Sequence, residues 1–373
     1  MLPSLRRLPF ALLALIPALA LHAAPAHASA GMEFAVQDDD VFLYSSLKAR
    51  DRGLDAAEKL GVKRIRVNVL WARLEVDNPR TRKVPRHPVY DFGAIDQLQH
   101  EAALRHIKLQ LTIAGPAPAW ATKNHRVGNT WPNAYRYGQF VKAVAEHFKG
   151  RVDRYSIWNE PNWDTWLNPV RHAPGIYRNL YVAGYKAVKQ VDRRAQVLLG
   201  ELQPYAEKHS IAPIRFLRGV TCTTSRWTSA KHCKGLRADG LALHPYQFTT
   251  APNRPFGGPD DAPFGSLRNM TRALDRLAHR RALTTPTGHH VNLYLTEFGY
   301  LTKGSRALSS RRRAAWLTQA YKLARRNPRV KELLQYQLVD GPSHAPWHSG
   351  VMTRRGVPQA PYKALARLAR KHH

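Results

Sequence analysis

Cysteine is nearly missing from this 373-residue chain and acid is scarce, with 2 cysteines and 26 acidic residues against 58 lysines and arginines, a formal charge of +32. So few cysteines exclude a disulfide-stapled miniature scaffold. Cys222 and Cys233 stand in a stretch rich in Thr, Ser and Lys, with no His or Cys cluster of zinc spacing around them. In an oxidising space they would close one local disulfide; two free or metal-binding thiols are the alternative. Long apolar runs are missing after the first thirty residues, so no membrane span is expected in the mature chain. A glycine-rich phosphate turn is missing too, because Gln37-Asp-Asp-Asp40 stands after the first strand candidate. No zinc-finger, helix-turn-helix or RNA-binding signature accompanies the charge, so nucleic acid is not the expected partner.

What remains is a basic chain with a secretory start. Arg6 and Arg7 precede an apolar run from Leu8 to Leu21 interrupted by Pro9 and Pro17, and Ala26-His-Ala28 or Ala28-Ser-Ala30 supplies a cleavage site. Residues 1–30 are therefore expected to be a signal peptide, 31–373 one mature domain, and the product a secreted protein acting as a monomer. The positive charge predicts adhesion to an anionic surface such as acidic polysaccharide or cell-wall phosphate. The competing reading is a solvated basic surface, since Arg311 to Arg313 and Arg367 to Lys371 fall on predicted helices.

Apolar runs of strand type alternate with helical periodicity along the mature chain. Strands are expected at 33–37, 62–70, 107–113, 152–158, 196–200, 239–243, 291–296 and 333–339. Helices are expected at 51–60, 91–106, 134–148, 174–191, 211–220, 267–283, 310–326 and 362–370. Eight of each, with no composition break, predict a single α/β domain, a (β/α)8 TIM barrel. The competitor, a doubly wound open sheet, lacks its phosphate turn.

In such a barrel the carboxyl ends of the strands share one bowl. The fourth strand runs into Tyr155-Ser-Ile-Trp-Asn-Glu-Pro-Asn162, where Pro161 should stop the strand and hold Glu160 extended at the rim. The seventh ends Leu293-Tyr-Leu-Thr-Glu-Phe-Gly-Tyr300 and delivers Glu297. Facing each other, these two carboxyl groups suit retaining glycoside hydrolysis, which needs one protonated and one ionised carboxyl about 5 Å apart. The chemistry requires no metal or cofactor. Indoles stack on the apolar faces of sugars, and Trp71, Trp120, Trp131, Trp158, Trp163, Trp166 and Trp347 lie at or beyond strand ends, with Trp158 the best candidate for plain packing. Glu201 closes the fifth strand, either contacting substrate or pairing with an arginine. Asp38 to Asp40 could bind a cation or hydroxyls, but three adjacent acids at a loop start are more often solvated.

Trp158-Asn-Glu-Pro161, Thr296-Glu-Phe-Gly299, Arg66, and His244 with Tyr246 resemble clan A glycoside hydrolases of the cellulase-like and β-xylosidase-like kind and bacterial exopolysaccharide hydrolases. The resemblance implies Glu160 as acid/base and Glu297 as nucleophile. Asn159 would bind the sugar 2-hydroxyl, Tyr246 would hold Glu297, and Arg66 would keep it ionised. His244 would be a polar contact near the acid/base or substrate. Trp347 resembles the platform tryptophan of the eighth strand, although it stands several residues past the apolar run. A poly- or oligosaccharide substrate follows, with a transglycosylase and a non-catalytic glycan-binding barrel as rivals.

Overall fold

The computed structural model describes residues 31–230 and 232–371; the expected signal peptide lies outside them. Eight parallel strands close into a barrel: β1 Glu33–Gln37, β2 Arg64–Leu70, β3 Lys108–Ala114, β4 Arg154–Ile157, β5 Gln196–Leu202, β6 Gly240–Leu243, β7 Leu293–Phe298 and β8 Val330–Tyr336, with β1 pairing both β2 and β8. The connecting helices are α1 Leu47–Leu60, α2 Gly93–Leu104, α3 Ala134–His147, α4 Ala173–Val191, α5 Pro213–Val220, α6 Leu267–His279, α7 Ser310–Arg326 and α8 Ala360–Arg370. Each buries an apolar stripe on the barrel wall; α3, for example, buries Tyr137, Phe140, Val141 and Val144. The expected (β/α)8 barrel is the fold. Among the described residues no helix is long and apolar enough to cross a membrane.

Polar residues fill the barrel interior in layers. Arg64, Arg66 and Asn68 of β2 pair in register with Lys108, Gln110 and Thr112 of β3, and the last two face Arg154 and Ser156 of β4. Period-two spacing turns such residues alternately inward. At the amino-terminal floor Arg64 binds Glu33 (3.0 Å) and Asp153 (2.6 Å), while Arg154 binds Glu33 (2.6 Å) and Glu332 (2.7 Å). The upper layer, around Arg66, is the site.

Several boundaries depart from expectation for visible reasons. Helix α1 begins at Leu47 because the Ser46 side chain caps it through the Ala49 N–H. Helix α6 stops at His279, freeing Leu283–Thr284 to pair with Leu236–Arg237 as a small separate sheet. Strand β8 begins and ends three residues earlier than expected. Its polar start is retained because Glu332 is buried against Arg154, and its end is lost because Val339 donates its N–H to Asp38 Oδ2 (2.9 Å), outside the barrel ladder.

Asp38 corrects the expectation of three solvated acids. It is 2% exposed, its Oδ1 accepts from Val41 N (3.2 Å), and burial pushes its carboxyl up to about 7. Asp39 accepts from Asn68 Nδ2 (2.8 Å), so only Asp40 is exposed. Cys222 and Cys233 are joined as a disulfide across a sequence separation of 11, in the connection from α5 to β6.

Candidate active site

Glu160 follows the end of β4 and Glu297 lies within β7, both carried to the carboxyl-terminal mouth of the barrel. His244, just past β6, lies between them: its Nδ1 is 2.9 Å from Glu160 Oε1 and 3.7 Å from Glu297 Oε2. The two carboxylate oxygens therefore cannot be farther apart than those distances laid end to end. Glu160 and Glu297 are 8% and 9% exposed, open enough to reach a ligand and buried enough to feel a low dielectric.

Local backbone geometry at Glu160 overturns the expected extended conformation. Its φ is +35, with +67 at Trp158, despite the restriction that Pro161 places on the preceding residue. Two backbone bonds outweigh that restriction: Glu160 N donates to Glu201 O (2.9 Å), and Trp163 N donates to Glu160 O (2.9 Å). Glu201 sits on an irregularity of β5, where the register against β6 slips between Gly200 and Leu202 and φ is +119 at Gly200 and +56 at Glu201. A Cβ at Gly200 would lie 2.5 Å from Ala242 O, so both the angle and the space require glycine. Tyr177 of α4 secures the bulge, accepting from Gly200 N (2.7 Å) and donating to Ile157 O (3.0 Å).

Arg66, fully buried, organises the site beneath the carboxylates. Its Nη1 donates to Glu297 Oε1 (2.6 Å), Nη2 to Asn159 Oδ1 (2.7 Å) and Nε to Thr112 Oγ1 (2.8 Å), and Gln37 also accepts from it. Tyr246 OH donates to Glu297 Oε2 (3.0 Å), so both oxygens of Glu297 are held. Asn159 spends its carbonyl oxygen on Arg66, which leaves its Nδ2 hydrogens to donate to a ligand.

Glu201 is 0% exposed and lies against Arg66 Nε (3.3 Å), His244 Nε2 (2.8 Å), Thr296 Oγ1 (2.5 Å) and Thr112 Oγ1 (3.2 Å). Of the two expectations for Glu201, the geometry gives the arginine pair. Burial opposes its charge, yet Arg66 and His244 hold its carboxyl down to about 2. Burial likewise opposes charge on His244, but Glu297, Glu160 and Glu201 around the ring push it up to about 9. For Glu160 burial dominates over the His244 contact, and its pKa is raised. A buried, proton-retaining carboxyl thus faces one clamped by a guanidinium and a phenol, the division of labour that acid and nucleophile need.

Of the aromatic residues expected here, Trp347 is half-buried beside Tyr246 (5.1 Å) and Phe248 (5.6 Å), its Nε1 donating to Ser349 Oγ (2.9 Å). Trp120 is 7% exposed, edge-on to Trp71 (5.5 Å), and gives its indole N–H to Glu75 Oε1 (2.8 Å), which places it in the packing behind the bowl. Trp71 stacks on Phe140, and Trp158, expected as packing, is 0% exposed. The sequence alone assigned no site role to Gln37, Thr112, Thr296, Phe248 or Tyr177. The first three were detectable as polar residues on barrel strands, whereas Tyr177 looks like any apolar-face helix residue.

Scans against protein-family models and against curated proteins find no match. Solved structures do match. A family 39 glycoside hydrolase from Bacteroides cellulosilyticus superposes with a TM-score of 0.67 at 17% identity, over 93% of this chain and 64% of that one. A GH5_18 enzyme from Streptomyces cattleya, in complex with GlcNAc, gives 0.62 at 16% identity, over 92% and 80%. A monomeric β-xylosidase from Caulobacter crescentus gives 0.58 at 19%, over 91% and 68%. At these identities the likeness is one of fold, the closed parallel barrel, and this chain spans under two thirds of the length of the Bacteroides enzyme.

Proposed function

We propose that this chain is a secreted retaining glycoside hydrolase acting on a β-linked poly- or oligosaccharide, with Glu160 as acid/base and Glu297 as nucleophile. The observation that carries the reading is the unequal pair around His244: Glu160 with a raised pKa, and Glu297 held by Arg66 at 2.6 Å and Tyr246 at 3.0 Å. Protonated Glu160 gives its proton to the glycosidic oxygen as the bond to the anomeric carbon breaks. Glu297 attacks that carbon and forms a glycosyl ester. Glu160, now ionised, takes a proton from the incoming water, whose oxygen displaces Glu297. Asn159 Nδ2 donates to the neighbouring 2-hydroxyl, a bond that strengthens as charge develops at the anomeric centre. Trp347 lines the bowl beside Tyr246 as a sugar platform. The β-linkage is supported by the β-xylosidase among the similar structures and by a GH5_18 enzyme complexed with Manb1-4GlcNAc.

The test is a glycan-panel digest with product sizing, run with and without an added acceptor sugar. Hydrolysis products in water support the proposal. Predominant transfer to the acceptor would make the protein a transglycosylase, and binding without cleavage would make it a glycan-binding barrel. The secretory expectation predicts a mature amino terminus just after Ala28 or Ala30, read by sequencing the exported protein.

A further inference from the structure

The face opposite the bowl carries a second feature. Every α-to-β connection of a parallel barrel lies at the amino ends of the strands, and there an open groove of about 990 Å³ runs between the end of α4 and the segment leading into β7. Lys186 and Lys189 of α4, Arg193 and Arg194 just after it, and Asp239 before β6 supply its charge. Asp239 is already taken by Lys189 (2.8 Å). Among the described residues no carboxylate is within ion-pair distance of Lys186, Arg193 or Arg194, and all three are exposed. Gln190, Thr285 and Thr287 line the same groove with neutral donors and acceptors.

We propose that this groove is a second glycan site, which holds an anionic polysaccharide chain and stands apart from the catalytic bowl. Three unpaired cations along one channel match a polymer carrying a regularly repeated carboxylate or sulfate. The amide and hydroxyl side chains between them match its sugar hydroxyls. Because the groove opens at the far end of the barrel, a chain held there leaves the bowl free, so the site tethers the protein to an acidic matrix. The overall charge of +32 adds long-range attraction, while the groove supplies the place of contact.

The test measures binding of polygalacturonate, with dextran as the neutral control, to the full-length Glu297→Gln protein at fixed salt, so that turnover plays no part. A Lys186→Gln/Arg193→Gln/Arg194→Gln variant is compared with Arg311→Gln/Arg312→Gln/Arg326→Gln, which removes the same charge from α7. The groove variant should lose affinity by about tenfold or more, the α7 variant by less than about twofold, and binding should weaken with added salt. Equal losses in the two variants would make the attraction diffuse and overturn the site. So would unchanged binding in the groove variant, which would return the polymer to the bowl. Stronger groove-dependent retention of duplex DNA than of polygalacturonate would overturn the glycan assignment. Each single substitution is measured alongside, with circular dichroism confirming the fold.

Discussion

His244 touches Glu160, Glu201 and, at longer range, Glu297, and its charge is set by all three. A histidine in the unfolded chain titrates near 6.5, and the folded one at about 9. The folded state holds the proton more tightly, so the stabilisation is complete below pH 6.5 and is lost as pH rises through 9. In His244→Gln, urea unfolding from pH 6 to 9.5 should show the stability deficit relative to the parent shrinking with pH, by up to about 3 kcal/mol. A deficit independent of pH would mean that the imidazole is uncharged in the fold. Glu160 gives the matching kinetic expectation. Its raised pKa should appear as the basic limb of the kcat/KM profile, with activity falling as the proton is lost. Glu160→Ala should flatten that limb, losing most activity on substrates with poor leaving groups; equal losses on good and poor ones would contradict the acid role. The placement of Glu160 and Glu297 together at one mouth of the barrel was legible because Asn-Glu-Pro and Thr-Glu-Phe-Gly end apolar runs. The partnership of Glu201 with Arg66 was not, because the two lie on strands that are not adjacent and only closure of the barrel brings them together.

Among the elements, the β5 bulge positions Glu160. It turns the Glu201 carboxylate inward and offers the Glu201 carbonyl to Glu160 N, so Glu160 is anchored by a neighbouring strand. Gly200→Ala should destabilise the fold by about 2–4 kcal/mol through the clash with Ala242 O and the positive φ. It should also depress kcat, because Glu201 and Glu160 move together. Tyr177→Phe removes the hydroxyl's bonds to Gly200 N–H and Ile157 C=O in the interior, at a cost of about 1–3 kcal/mol in thermal or urea unfolding. No stability change in Tyr177→Phe would show that the bulge holds without its helix partner. The alternation of strands and helices was readable from periodicity, and α7 from Ser310 to Arg326 was read in full. The bulge was not readable, since its single extra residue between Gly200 and Leu202 comes after the apolar run Val197-Leu198-Leu199 is complete. The start of β8 was hidden for the opposite reason: Lys331 and Glu332 look like loop, and only the buried partner Arg154 makes Glu332 a strand residue.

For the whole molecule, the glutamate pair and the disulfide lie at opposite ends of the barrel. The Cys222–Cys233 bridge lies in the connection from α5 to β6, on the face away from Glu160 and Glu297. Closing so short a loop is worth at most about 3 kcal/mol. Reduction, or Cys222→Ala/Cys233→Ala, should therefore lower the melting temperature while leaving kcat unchanged; a proportionate fall in kcat would place the loop in the chemistry. The central claim remains that one carboxylate attacks the anomeric carbon. The most direct measurement follows the anomeric form of the first product by proton NMR during cleavage of an activated aryl β-glycoside, in the parent and in Glu297→Gln. Double displacement at Glu297 gives a β-product first, showing retention, and a rate at least about 10⁴-fold lower in a Glu297→Gln protein that still folds. An α-product formed first, or an unaltered rate in the variant, would contradict it.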